Sequence, residues 1–442
     1  MKTYLSWGRF PKISHQQIFQ AVEKSPFPSA RSGKSMLAYG AGRSYGDCCL
    51  NEGGILLDTS RMDRVLDFDA EHGLLRCEGG ISLGAILRLI IPHRWFLPVV
   101  PGTQFVTLGG AIANDVHGKN HHRAGTFGGH VTKLELLRSD GTRLLCSRQE
   151  NSGFFNATVA GLGLTGLILW AELRLKKTQG PFLDCETWAF SSLQDFSALC
   201  EASDRDFEYT VAWVDALARG SNFGRGIFFR GNHAPEVAPE RGSGRFRMTV
   251  PMEMPGFMLN SFTLGVFNEL YFQHHRHWAG KKRVHYEKFF FPLDGLRNWN
   301  RLYGRAGFFQ YQCAIPGDRG LSVIASILKE ISRAGLGASL AVLKKFGPQN
   351  SPGLLSFPRE GMTLSVDLKN EGTRTLSLMQ RLDYQVQEAG GAVYPAKDAC
   401  MSSGLFTSGF PRAGEFETFR DPEFSSNFWR RVCAEAAQGG HS

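Results

Sequence analysis

The sequence has no C-x-x-C pair, no internal repeat, no low-complexity tract and no H-E-x-x-H motif. Nine cysteines, an odd number, are scattered along it, so they cannot all be bridged and are expected as reduced thiols in a cytosolic compartment. The opening residues, MKTYLSWGRFPKISHQQIF, lack the apolar run of a secretory signal. The longest charge-free span, Asn151 to Ala171, is long enough for a bilayer but contains Asn, Ser, Thr and four glycines, and is expected as a buried strand with a glycine-rich turn. The chain is therefore expected in the cytoplasm, peripheral at most to the inner membrane.

What is present is globular. With 442 residues, 42% hydrophobic and 21% charged, the chain should form two or three folded domains. Acidic residues are outnumbered, 41 against 50 Lys and Arg, and the net charge of +9 calls for an anionic partner. Nucleic acid, a phosphorylated substrate and a membrane surface all satisfy it.

Residues 36–178 alternate short strands (MLAYG, GILLDT, VLDFDA, LLRCEGG) with glycine turns, then form a hairpin turning at Asp140-Gly141. One helix, in SLGAILRLIIPHRWFLPV, is ended by Pro92. From about 179, longer alternating segments are joined by amphipathic helices: FEYTVAWVDAL, GRGIFFRG, GFFQYQCAIP, GMTLSVDLK and AVYPAKDA are expected strands. This pattern predicts an α+β fold with a separate sheet covered by helices. Residues 257–291 are aromatic and basic, a partly buried surface loop or a seat for a lipid headgroup.

Three glycine loops concentrate the chemistry: YGAGRSYGD, PGTQFVTLGGAIANDVHG and GLGLTGLI. The first imitates a dinucleotide fingerprint, with Asp58 where a ribose-binding acid would stand, but it leads into a strand where that fingerprint must open a helix. Glycine-freed N–H groups in a loop can still cradle phosphate. Together the loops predict a large phosphate-bearing cofactor.

These motifs, in this order and spacing, resemble the FAD-binding domain of the vanillyl-alcohol oxidase (PCMH-type) superfamily, and within it the decaprenylphosphoryl-β-D-ribose 2′-oxidase family. GGAIANDVHGKNHH, VAWVD, FFFPLDGLRNWNRLYG, LKKFGP and AVYPAKDA extend the resemblance over most of the chain. It implies a two-subdomain FAD-binding domain over residues 1–178, completed by a returning segment 391–442, with an antiparallel-sheet substrate domain inserted at 179–390. It implies FAD held by Gly40, Ala41, Gly42, Arg43, Ser44, Tyr45, Gly46, Gly102, Thr103, Thr107, Gly109, Gly110, Asn114, Asp115, His117, Gly163, Ile168 and Tyr394. Arg43 stands where many members carry the histidine that bonds flavin covalently, so FAD is expected to be non-covalent.

The same resemblance implies catalytic roles for Lys397, His117 and Tyr45, and substrate contacts from Lys119, Trp213, Gln310, Gln312, Lys344 and Ser365. A lysine desolvated beside the substrate serves as a base or as a charged anchor. Gln310 and Gln312, two apart on a strand, share a face suited to sugar hydroxyls. Ser365 falls where mycobacterial members carry a cysteine, so thiol-directed inhibitors should not act there. The implied substrate is a polyprenyl-phosphoryl ribose oxidised at C2, with a separate NADH-dependent ketoreductase as partner and no nucleic acid. Three alternatives remain: an oxidase of a soluble sugar, alditol or lactone precursor; a colourless, salt-sensitive nucleic-acid binder; and a zinc protein using His117, His121 and His122. The last lacks both an acidic ligand nearby and a helix to align the histidines, so no metal is expected.

Overall fold

The computed structural model describes residues 3–22, 33–235, 248–336 and 340–434. Three parallel strands, Gln17–Gln20, Ile55–Asp58 and Met36–Tyr39, lie in that order side by side. A five-stranded antiparallel sheet follows, ordered Val65–Asp69, Leu74–Glu78, Leu167–Arg174, Val131–Leu137 and Arg143–Ser147. The helix Leu83–Ile90 buries Leu83, Ile86, Leu87 and Ile90 and is capped by Ser82; Pro92 then tightens the chain into a 3-10 turn. Residues 151–171 are not all strand and turn as expected. Ser152–Thr158 is a short helix, its Phe155 and Ala157 wholly buried, and only from Leu167 does the chain extend.

The largest sheet has eight antiparallel strands, in the order Gly280–His285, Phe182–Phe190, Gly226–His233, Tyr209–Val214, Ala341–Phe346, Gly361–Lys369, Phe308–Pro316 and Ala392–Val393. Alternation decides its two faces. Phe309, Tyr311, Cys313, Leu343, Leu364, Val366 and Leu368 join a core with Ile324, Ile327, Ile331, Leu378, Leu382 and Val386 from the helices Gly320–Ala334 and Thr373–Glu388. The intervening residues Gln310, Gln312, Val342, Lys344, Val211, Trp213 and Ser365 look the other way, into a cavity. Register places Gln312 opposite Ser365, Gln310 opposite Asp367 and Lys344 opposite Thr363.

AVYPAKDA differs from the expected strand. Only Ala392 and Val393 pair, because Pro395 brings no N–H to the ladder, and Pro395–Lys397 turns as a 3-10 helix that lifts Lys397 to the cavity. The aromatic-basic segment is likewise more ordered than a loop: it contains the helix Ser261–His277, capped by Asn260.

Candidate active site

A cavity of about 870 Å³ opens between the glycine loops and the inner face of the large sheet, near the top of the roughly 300–1,000 Å³ range of small-molecule sites. Its wall includes 16 of the 18 residues expected to hold the cofactor, together with Lys397 and all six expected substrate contacts. Gly46 and Asp115 lie outside it. A Cβ on Gly46 would sit 1.6 Å from the Asp398 carbonyl oxygen, so that glycine lets the segment after Lys397 pack onto the first loop. Asp115 is fully buried at φ 41°, where its carboxylate accepts from Gly128 N–H and from the hydroxyls of Ser351 and Ser356. It pins a loop behind the pocket. Asp58, the look-alike ribose acid, also points away, accepting from Tyr4 Oη at 2.8 Å and Ser60 N–H at 2.9 Å.

The first loop has the form of an anion nest. Among the described residues, no protein acceptor meets the N–H groups of Ala41, Gly42, Arg43 and Ser44. Gly42 holds φ 60°, and a Cβ there would strike the Tyr39 hydroxyl at 2.1 Å. The Arg43 guanidinium lies over Trp7 and Phe105, at 4.2 and 4.9 Å, with its Nε unpaired. Gly40 is pressed against Thr107, whose Oγ1 caps the helix Leu108–Ala113 by accepting from Gly110 N–H. Tyr394 donates to the Asn114 carbonyl at 2.7 Å and stacks on Phe357. Buried polar atoms without partners, Arg43 Nε, Asn114 Oδ1, Gln310 Oε1 and Gln312 Oε1, belong to residues of this wall. A diphosphate-bearing cofactor with a polar ring edge fits that set.

At the other end, four cationic or imidazole groups converge. His117 Nδ1 lies 3.1 Å from Lys344 Nζ, and His117 Nε2 lies 3.0 Å from the Gln312 amide nitrogen. A neutral imidazole accepts on one nitrogen only. When Lys344 is protonated it donates to Nδ1, Nε2 carries the ring hydrogen, and the Gln312 amide turns by half a rotation to accept it, leaving its NH2 free. Burial, reinforced by Lys344 and Lys397, holds His117 well below the ordinary histidine range. Desolvation and the neighbouring Lys397 and Lys119 depress Lys344 in the same way.

Lys397 donates to Ser365 Oγ at 3.2 Å and lies 5.6 Å from the centre of the Tyr45 ring. Desolvation lowers its pKa, while the carboxylate of Asp367 opposes the shift; burial raises Asp367 in turn. Burial, and then Asp367, raise the Tyr45 phenol, which stays neutral. Lys119 donates to the Phe289 carbonyl and is pushed down by burial to about 7.

Asp367, Thr363 and Asp294 were not anticipated. Asp367 accepts from Gln310 at 2.5 Å, Thr363 meets Gln312 at 3.1 Å, and Asp294 accepts from Gln104 N–H at 2.9 Å. The signal for the first two was there, because polar residues recur every second position in the otherwise apolar GMTLSVDLK. His121 and His122 are structural: His121 Nδ1 faces Gly347 N–H at 3.2 Å, and His122 Nε2 faces the Phe207 carbonyl at 3.1 Å. No group of three metal-ligating side chains occurs among the described residues.

A nest beside a cation-lined pocket suits a phosphate-bearing redox cofactor, and likeness to known sequences gives the class: an FAD-dependent oxidoreductase with a PCMH-type FAD-binding domain. A family model described as an FAD binding domain matches residues 29–147. The chain is 34% identical to the decaprenylphosphoryl-β-D-ribose oxidase of Mycolicibacterium smegmatis, over 98% of this chain and 97% of that protein. Shorter likenesses are to the mouse L-gulonolactone oxidase, 30% identical over 39% of this chain and 38% of that one, and to the mouse Δ24-sterol reductase, 29% over 32% and 27%. The chain belongs to the decaprenylphosphoryl-β-D-ribose oxidase family.

Proposed function

We propose that this chain oxidises the 2-hydroxyl of a polyprenyl-phosphoryl-β-D-ribose to the 2-keto sugar with non-covalently held FAD. This is the first half of an epimerisation to the arabinose donor, which a separate NADH-dependent ketoreductase completes. The carrying observation is that Lys119 and Lys344, both in the cavity wall and desolvated, have no carboxylate partner among the described residues. Buried ammonium groups are costly until an anion compensates them, and a phosphodiester supplies that charge. The one amide atom that each of Gln310 and Gln312 leaves without a partner suits sugar hydroxyls, and Trp213, Phe229, Tyr271 and Phe289 give the prenyl tail an apolar wall.

Gly40, Ala41, Gly42, Arg43, Ser44 and the 102–117 stretch would hold FAD, which when bound supplies the acceptor for the carbinol hydride. Arg43, in place of a histidine, leaves the first loop without a nucleophile at that position. Lys397 takes the hydroxyl proton while it is neutral. His117 is the weaker candidate for that step, since Gln312 and Lys344 occupy its two ring nitrogens; it orients those two side chains toward the substrate. Tyr45 sets its ring beside Lys397, 5.6 Å from Nζ, and confines that side chain.

We also assign residues 1–178 and 391–442 to the FAD-binding part, as two subdomains, and 179–390 to the substrate part. The strand Ala392–Val393 crosses between them by pairing with Phe308–Pro316. The enzyme works in the cytoplasm at the inner membrane, without nucleic acid; no helix among the described residues is long and apolar enough to cross a membrane.

Turnover of a prenyl-phosphoryl ribose against free ribose tests the substrate. A preference of at least about a hundredfold, the worth of roughly 2.7 kcal/mol of added binding, is expected. Equal rates would hand the site to a soluble sugar, alditol or lactone precursor. Acid precipitation should release yellow flavin into the supernatant, and colour left in the pellet would refute non-covalent attachment.

A further inference from the structure

The helix Ser261–His277 has a face that nothing among the described residues covers. At about 100° per residue, Phe262, Val266, Phe267 and Leu270 occupy an arc of about 140°, and they are 76, 46, 52 and 66% exposed. The opposite face is fixed. Leu264, Asn268 and Phe272 are buried, Asn268 donates to Asp215 at 2.8 Å, and Arg225 ties Asp215 to Glu269 of the helix. Phe272 packs on Trp213 and Ile227. The exposed stripe is thus a firmly seated surface and not a frayed end. Exposed Trp278, at 57%, extends it, with Lys282 5.6 Å from the Trp278 ring centre. His274, Arg276, His277, Lys281 and Lys282 are all exposed around its C-terminal end.

We infer that this helix lies in the headgroup layer of an anionic bilayer, with Phe262, Val266, Phe267 and Leu270 dipping among the acyl chains and the basic rim on lipid phosphates. An amphipathic helix with an aromatic-aliphatic face and a basic border has the composition for that position. A second copy of this chain is a poorer occupant, because it brings the same basic rim where a bilayer brings phosphates. The placement deepens the function proposed above and rests on it for the substrate's lipid tail: Tyr271 and His275, on the helix's inner side, line the cavity. A prenyl chain could therefore leave the pocket along this helix without crossing water.

The test is sedimentation of the full chain with FAD on vesicles of equal parts phosphatidylcholine and phosphatidylglycerol, alongside phosphatidylcholine alone. Preferential binding to the anionic vesicles is expected. Phe262→Ser combined with Leu270→Ser should cut it about tenfold or more while leaving the flavin spectrum and turnover of a short-prenyl, water-soluble substrate unchanged. Lys281→Ala with Lys282→Ala should erase the preference for anionic lipid. A wild-type protein that stays in the supernatant, or a Phe262/Leu270 variant that binds as before, overturns the inference, as does a variant whose only change is from dimer to monomer in solution. Vesicle binding without oxidation of prenyl-phosphoryl ribose leaves the docking surface standing and removes the substrate. Oxidation without vesicle binding does the reverse.

Discussion

On the proposed role of Lys397 as proton acceptor, Lys397→Ala should lower kcat by about 10² to 10⁴ and keep a normal flavin spectrum. Stopped-flow reduction with the prenyl substrate reads both. With neutral Lys397 as the proposed acceptor, the rate should climb with pH through a pKa below the ordinary lysine range. Asp367 raises that pKa, and Asp367→Asn should move the climb to lower pH; a climb left in place would separate it from Lys397. Lys119 makes a stability prediction of opposite character. Its folded pKa, about 7, lies below the usual 10.5, so the unfolded chain holds the extra proton between those values and stability rises with pH there, by up to ~1.4 kcal/mol per unit. Melting temperatures of wild type and Lys119→Met should differ most, in favour of the variant, at or below pH 7, and converge toward pH 10.5.

Among elements, the glycine loops were legible because glycine marks close backbone approach directly, and Gly42 and Gly163 hold the positive φ angles that such loops use. The alternating strands were legible for the same local reason. What escaped was set by contacts far along the chain. Gly46 passes for one more phosphate-loop glycine until Asp398, over 350 positions away, lies against it. Asp115 passes for a ligand residue until Ser351 and Ser356 are seen to hold it. The helix Ser261–His277 carries apolar residues on its outer face too, which blurs the 3.6 period. Two substitutions follow. Gly46→Ala should lower the melting temperature and release FAD together, measured by flavin fluorescence during heating. Asp115→Asn cannot accept as the carboxylate does from two hydroxyls and an N–H, and should cost about 1–3 kcal/mol in urea unfolding with less effect on kcat than Lys397→Ala.

At the scale of the molecule, Arg431 binds Asp47 and Asp398, both at 2.8 Å, tying the first glycine loop to the segment that bears Lys397. Desolvation pushes Asp47 up against the pull of that arginine. Arg431→Met leaves two buried carboxylates without a cation, a loss of up to about 3–5 kcal/mol, tempered because Arg431 is 27% exposed. The loss should be largest near pH 8 and shrink as the pH falls and Asp47, raised by burial, takes up its proton; denaturant melts from pH 8 to pH 4 check it. The same clasp sets a timetable for the newborn chain. Asp47 and Arg431 lie 384 positions apart, and at roughly 5–20 residues per second a ribosome needs about twenty seconds or more to make the second after the first. For that interval the phosphate nest lacks its clasp, so flavin capture should follow the making of Arg431, and a cell short of FAD would accumulate clasped chains with an empty nest as prey for proteases.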